Sequence, residues 1–230
     1  DTLNSALKYN GDVKVYVQNG DAKTQILSGF TVAPDAAATA GGTLTVTFGN
    51  LKMIAGVSSS SKIVVEYTAE LLSTAVIGGS GNKNEVYLEY ANDPNATGKG
   101  TTGNTKTDEV LVFTYELDVT KVDGKDGTTT LANAEFVLLS SDKTKAAKVS
   151  NGKLVEWVTV PEGTKLTSGG DGKFVIAGLD AGSYYLRETK APAGYNLLGN
   201  EIGITITATL DKSENNPSLT ALKISVREDK

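Results

Sequence analysis

The sequence predicts an all-β protein built as two tandem β-sandwich domains, and three observations carry that prediction. Short segments alternating apolar and polar residues recur along all 230 residues. The turns between them are rich in glycine, asparagine and aspartate, and no segment beyond a short turn spaces its apolar residues like a helix face. The length suits two domains of ordinary size, each able to bury its own core.

In chain order, VKVYVQ runs into Asn19-Gly20, TLTVTF into Gly49-Asn50, KIVVEYTAEL follows, and NEVYLEY runs into Asn92-Asp93-Pro94. The second half repeats the rhythm with ELDVTKV, AEFVLLS, KLVEWVTV, KFVIAGL, SYYLRE, EIGITITATL and LKISVRE. Their separators are Asp-Gly, Asn-Gly, Gly-Gly and Ala-Gly. Alternating strands of this length with turns at these intervals are those of an immunoglobulin-like sandwich. Residues 95–108 are polar, rich in Gly and Thr and without period, and read as a long exposed loop. EVLVFTYELDVTKVDG then runs as one extended stretch, which sets the junction near Tyr115: a first domain over 1–114 and a second over 115–230.

Composition removes whole classes of function. The net charge is -5, with no cluster of Lys and Arg, so a phosphate backbone finds no electrostatic footprint and nucleic acid is not expected as a partner. No apolar run approaches bilayer thickness, so no membrane span is expected within the chain. Cysteine is absent, which excludes disulfides and thiolate metal sites; histidine is absent, which removes Ser-His triads and His-based zinc sites. GGSGN at 78–82 and TSGGDGK around Gly170 lack the strand-to-helix context of phosphate loops. Asp123, Asp126, Asp142 and Asp171 lack the ordered spacing of a calcium loop. No metal or cofactor is expected. Trp157 alternates with Val155 and Thr159 and reads as a packing residue, with carbohydrate stacking as the alternative.

Strand parity is the informative signal in the second half, because side chains two apart share a face. Tyr115, Leu117, Val119 and Lys121 fall on one face, and Tyr184, Leu186 and Glu188 on one face of SYYLRETKAP. A lysine and a glutamate thus each occupy an interior register. The ordinary alternative for a lone charge is a strand-end side chain that reaches back to water. Two in one domain weigh against that alternative without removing it, and a buried lysine beside a buried glutamate is costly unless the two are paired.

YELDVTKVDG followed by SYYLRETKAPAGYNLL resembles the Cna B-type domain of Gram-positive backbone pilins, including the pilin E-box around Glu188. The resemblance implies that Lys121 attacks an Asn side chain on the last strand, expelling ammonia and leaving an intramolecular isopeptide bond, while Glu188 handles protons and polarises the amide. LKISVREDK contains no Asn, and Asn215 and Asn216 lie in a turn-like segment for which an Asx turn is the simpler role. The expected acceptor of Lys121 therefore lies beyond Lys230.

DTLNSALKYNGDVKVYV and GNKNEVYLEYANDP resemble the Cna A-like domain that precedes it in such pilins. By that resemblance Asn84 is the acceptor and Asp1 the assisting acid, with the donor lysine upstream of Asp1. Asn84 shares parity with Val86, Leu88 and Tyr90, which turns its amide toward the expected core; turn capping is the alternative. The resemblance implies a structural shaft subunit of an extracellular, cell-wall-anchored pilus, not an enzyme. Its implied partners are identical subunits joined head-to-tail by a class C sortase, with the linkage lysine and LPxTG-type signal outside this chain. A matrix-binding adhesin or minor pilin with Cna-like stalk domains is the alternative, which would add a host ligand.

Overall fold

The computed structural model describes residues 1–38, 40–93, 100–213 and 217–228; Asn215 and Asn216 lie outside them, so the Asx-turn reading does too. The fold is all-β, as the alternation predicts, and the one helical element among the described residues is a single 3-10 turn at Leu51–Met53. Among the described residues no helix is long and apolar enough to cross a membrane. The chain divides into two compact units, residues 1–75 with 82–112, and residues 76–81 with 113–230.

The first unit holds β1 (Thr2–Tyr9), β2 (Lys14–Asn19), β3 (Ala22–Ile26), β4 (Phe30–Ala33), β5 (Ala40–Thr43) and β6 (Thr45–Phe48). It continues with β7 (Lys62–Glu66), β8 (Ala69–Leu71), β9 (Asn82–Val86), β10 (Glu89–Ala91), β11 (Thr102–Asn104) and β12 (Asp108–Val112). One sheet runs β12-β9-β1-β5, with β8 also on β1; a second runs β3-β2-β7, and β4-β6 and β10-β11 pair separately. Leu3, Leu7, Tyr9 and Leu44 form one core cluster, and Val15, Val17 and Ile26 another.

KIVVEYTAEL is not one strand. Its first part, β7, pairs with β2, and its second, β8, pairs with β1, so the chain changes sheets at Tyr67-Thr68. The crossing is pinned by Asp12, whose carboxylate accepts from the Thr68 backbone N–H at 2.9 Å and the Thr68 hydroxyl at 2.7 Å. Asn10 adds a side-chain bond to the Thr68 hydroxyl at 2.8 Å. NEVYLEY is likewise divided between β9 and β10. Val86, Leu88 and Tyr90 are all exposed, the last two on or beside the β10-β11 hairpin, so the parity argument that tied Asn84 to these three as core residues fails. The expected loop over 95–108 contains β11 and the start of β12.

The second unit holds β13 (Tyr115–Thr120), β14 (Glu135–Leu139), β15 (Lys145–Ser150), β16 (Lys153–Thr159) and β17 (Leu166–Thr167). β18 (Lys173–Leu179), β19 (Gly182–Lys190), β20 (Ile202–Asp211) and β21 (Ser218–Glu228) complete it. Their order is β13-β18-β16-β15-β14-β19-β20-β21, with β17 on β14. The sheet folds over one core in which Tyr115, Leu117 and Ile176 from one side meet Phe136, Leu138, Leu186, Ile204 and Ile206 from the other. Trp157 packs on this core, its ring stacked parallel to Tyr184 at 6.0 Å.

Turn carboxylates in this unit give it an acid limb. The Thr129 hydroxyl and the backbone N–H groups of Thr128 and Thr129 hold Asp126 down to about 2, and the Ser140 hydroxyl with the Thr144 N–H and hydroxyl hold Asp142 down to about 2. Both values lie below the ordinary 3.8, so the native state binds fewer protons than the unfolded chain and gains stability above that value. Thermal stability of the second unit is expected to be flat above about pH 5 and to fall between about pH 4 and pH 2. Thr129→Val combined with Ser140→Ala should flatten that fall, read by the Trp157 unfolding transition at each pH.

Candidate functional site

Two clusters bring the predicted residues together, one in each unit. In the second unit, β13 carries Tyr115 and Leu117 into the core, and Lys121 follows on the same face. Backbone bonds fix it on both sides: its N–H donates to Gly172 O at 2.8 Å and its carbonyl accepts from Leu131 N–H at 2.9 Å. Gly172 has φ +76°, and a Cβ there would stand 2.7 Å from Lys121 O, so glycine alone permits this approach. On β19, Tyr184, Leu186 and Glu188 point inward in alternation, Glu188 opposite Phe136 in register.

The two charged residues meet. Lys121 Nζ lies 3.2 Å from Glu188 Oε1; the glutamate side chain is fully buried and the lysine 14% exposed. Glu188 Oε2 accepts from Leu198 N–H at 2.8 Å, in the segment after the E-box. The lysine approaches out of line for a hydrogen bond, so Oε1 has no hydrogen-bond partner. Tyr195 donates to Asp123 Oδ2 at 2.9 Å, tying the same segment to the turn just after Lys121. That bond, with burial second, pushes the Tyr195 phenol up.

In the first unit, β1 lies antiparallel to β9 with Leu3 opposite Asn84. Asp1 is two residues from Leu3, so Asp1 and Asn84 are diagonal neighbours on one face. The Asp1 backbone is paired on its other side with Leu44, 2.8 Å in each direction. Asn84 Nδ2 donates to the Tyr67 hydroxyl at 3.2 Å, while its Oδ1 is buried without a partner, as is Asp1 Oδ1. Asn82, on the same face as Asn84, is fully buried and donates to Val112 O at 3.1 Å, so its amide is engaged by the sheet.

Among the described residues these are the three buried side-chain oxygens or nitrogens without a hydrogen-bond partner: Asp1 Oδ1, Asn84 Oδ1 and Glu188 Oε1. Buried polar atoms in folded proteins are nearly always satisfied, so such exceptions mark places where chemistry or a further group belongs. Three further residues of these clusters escape sequence reasoning. Tyr67 reaches Asn84 through the sheet crossing, Leu198 reaches Glu188 through a backbone N–H, and Tyr195 has one visible signal, its place at the end of SYYLRETKAPAGY. The described residues hold no cluster of acidic side chains suited to a metal ion.

Residues 115–217, within the second unit, match the SpaA family, a prealbumin-like fold domain. The chain is similar to the trypsin-resistant surface T6 protein of Streptococcus pyogenes serotype M6, with 29% identity over 184 residues. That match covers 74% of this chain and 31% of the relative, so the chain spans about a third of that protein's length.

Solved structures share the fold. The group B streptococcus pilus 2b backbone protein superposes with a TM-score of 0.61 at 24% identity, covering 94% of this chain and 78% of that one. The T6 backbone pilin of serotype M6 Streptococcus pyogenes gives 0.56 at 16% identity, over 98% and 56%. BcpA, the major pilin subunit of Bacillus cereus, gives 0.57 at 21%, over 90% and 54%.

Proposed function

We propose that this chain is a shaft segment of a covalently assembled cell-surface pilus, its two β-sandwich domains each locked by an intramolecular Lys-Asn isopeptide bond. The observation that carries the reading is the set of three buried oxygens without a hydrogen bond. They belong to an asparagine, an aspartate and a glutamate that this reading takes as acceptor and proton-handling groups, and Glu188 faces a lysine amine at 3.2 Å. The domains are read as a Cna A-like module over 1–114 and a Cna B-type module over 115–230. Lys121 is the amine and Glu188 its acid in the second; Asn84 is the acceptor and Asp1 its acid in the first.

The mechanical rationale is direct. Lys121 sits at the end of β13, the first strand of the second unit, which pairs on one edge with β18. A covalent bond from that end to a closing strand carries tension through σ bonds, whereas a hydrogen-bonded ladder under the same pull opens. The bond also constrains the unfolded chain as a disulfide does, without being reducible, which suits a chain lacking cysteine. Because the product is permanent, the chemistry is a single maturation event and the protein is structural, not an enzyme. Identical subunits, joined head-to-tail by a class C sortase on the cell surface, are the partners that this reading supplies, in support of adhesion and colonisation.

Intact mass and peptide mapping of the full-length protein test it. The expected result is the loss of one ammonia per domain, with branched peptides containing Lys121 and Asn84, and with Lys121→Ala removing the first of them. An unshifted mass, with every lysine peptide linear, would remove the cross-linking mechanism.

A further inference from the structure

Tyr67 stands against the amide nitrogen that must leave Asn84. Its hydroxyl is 3.2 Å from Asn84 Nδ2, and in the resting amide it can only accept there, because the Nδ2 lone pair is delocalised into the carbonyl. The tyrosine is rigidly placed. It lies at the crossing from β7 to β8, which Asp12 and Asn10 pin through Thr68, and its ring packs edge-on against Tyr9 with centroids 5.9 Å apart. Burial pushes its phenol up, against the lowering effect of the Asn84 contact, so the hydroxyl keeps its proton at neutral pH. Nothing in sheet packing requires a hydroxyl here: the ring already joins the Leu3, Leu7, Tyr9 and Leu44 core.

We propose that Tyr67 is a catalytic residue of cross-link formation in the first unit, the acid that delivers a proton to Nδ2 of Asn84 as ammonia departs. This rests on Asn84 being the acceptor, as read above. An uncharged lysine amine of the same protein bonds through its lone pair to Asn84 Cγ, and the carbonyl π pair moves to Oδ1, which takes the proton of the Asp1 carboxyl. Cγ is then tetrahedral, and the Nδ2 lone pair becomes localised and basic. The contact with Tyr67 reverses: the hydroxyl donates its proton to Nδ2, and the Cγ–Nδ2 bond breaks with its electron pair leaving on ammonia. Oδ1 returns its proton to Asp1 as the carbonyl re-forms, and the former lysine nitrogen gives its surplus proton to the Tyr67 phenolate. One amine and one carboxamide become one secondary amide and one ammonia, with Asp1 and Tyr67 restored. The hydrogen bond is useful because it donates only after attack, stabilising the breakdown step more than the resting amide.

The test follows ammonia loss over time in freshly translated full-length protein by intact mass, with peptide mapping to assign it to Asn84. Tyr67→Phe keeps the ring and removes the proton, and cross-linking at Asn84 is expected to slow by about 100-fold or more, the usual range for a lost general acid. Tyr9→Phe removes the other hydroxyl of the aromatic pair, which accepts from Val13 N–H at 3.2 Å and does not touch Asn84, so its rate should match wild type. Site-specific replacement of Tyr67 by a fluorinated tyrosine leaves the fold intact while making the phenol more acidic, and should change the rate; packing alone would not respond. A wild-type rate in Tyr67→Phe, or no response to fluorination, overturns the assignment of Tyr67 and leaves Asn84 as acceptor. Wild-type protein that loses no ammonia at Asn84 overturns the acceptor reading and this proposal together.

Discussion

Lys121→Met is expected to destabilise the second unit by about 3–5 kcal/mol in the chain without its cross-link, because removing one member of a buried ion pair strands the other. Glu188 has a fully buried side chain, and Leu198 N–H would remain as its hydrogen-bond donor. Methionine keeps the apolar stem, so the loss isolates the charge and not the packing. Glu188→Leu should cost less, since the Lys121 side chain is 14% exposed and can extend its ammonium toward water. The double variant should recover most of the loss, as apolar replacement of a buried pair is often neutral. Denaturant unfolding followed by Trp157 fluorescence measures all three. The chain has one tryptophan and it lies in the second unit, so its signal reports that unit alone. A neutral Lys121→Met would show that the contact contributes nothing to native stability.

Phe136→Ala is expected to cost about 3–5 kcal/mol, lowering the denaturant midpoint of the Trp157 transition without changing its slope. Phe136 is 2% exposed at the centre of the larger core, with its ring 5.3 Å from Phe174. It also stands opposite Glu188 in register, so the cavity would open beside the buried pair. Val155→Ala, on a side chain 51% exposed, should shift the midpoint by less than about 0.5 kcal/mol and serves as the control. Equal effects from the two substitutions would mean that the core is not packed as described.

Parity led to Lys121 and Glu188 because β13 and β19 are single strands with one face buried, where a period of two converts sequence spacing into direction. The same reasoning overreached in NEVYLEY. There the chain leaves its sheet after Val86 and re-pairs as a separate hairpin, and nothing local announces the change. KAAKVS, now β15, offered no alternation to read. Its Ala146 and Ala147 are both fully buried, one on the smaller cluster with Val137 and Leu139 and the other in the main core, so both faces are apolar. Gly163 packs so closely there that a Cβ would meet Ala146 Cβ at 2.5 Å, which is why small residues occupy the strand. β11, three residues inside a polar segment, exists through its pairing with β10.

Composition and alternation by themselves determined the all-β class, the absence of thiol and imidazole chemistry, and the inward direction of one lysine and one glutamate, because these depend only on residue type and a period of two. Tertiary structure decided which strands change sheets, that Lys121 and Glu188 actually meet, and that Tyr67 faces the Asn84 amide. Each of those contacts joins residues 17 to 67 positions apart. Their meeting is set by strand order and by the packing that folds one sheet over another, quantities that no local pattern encodes.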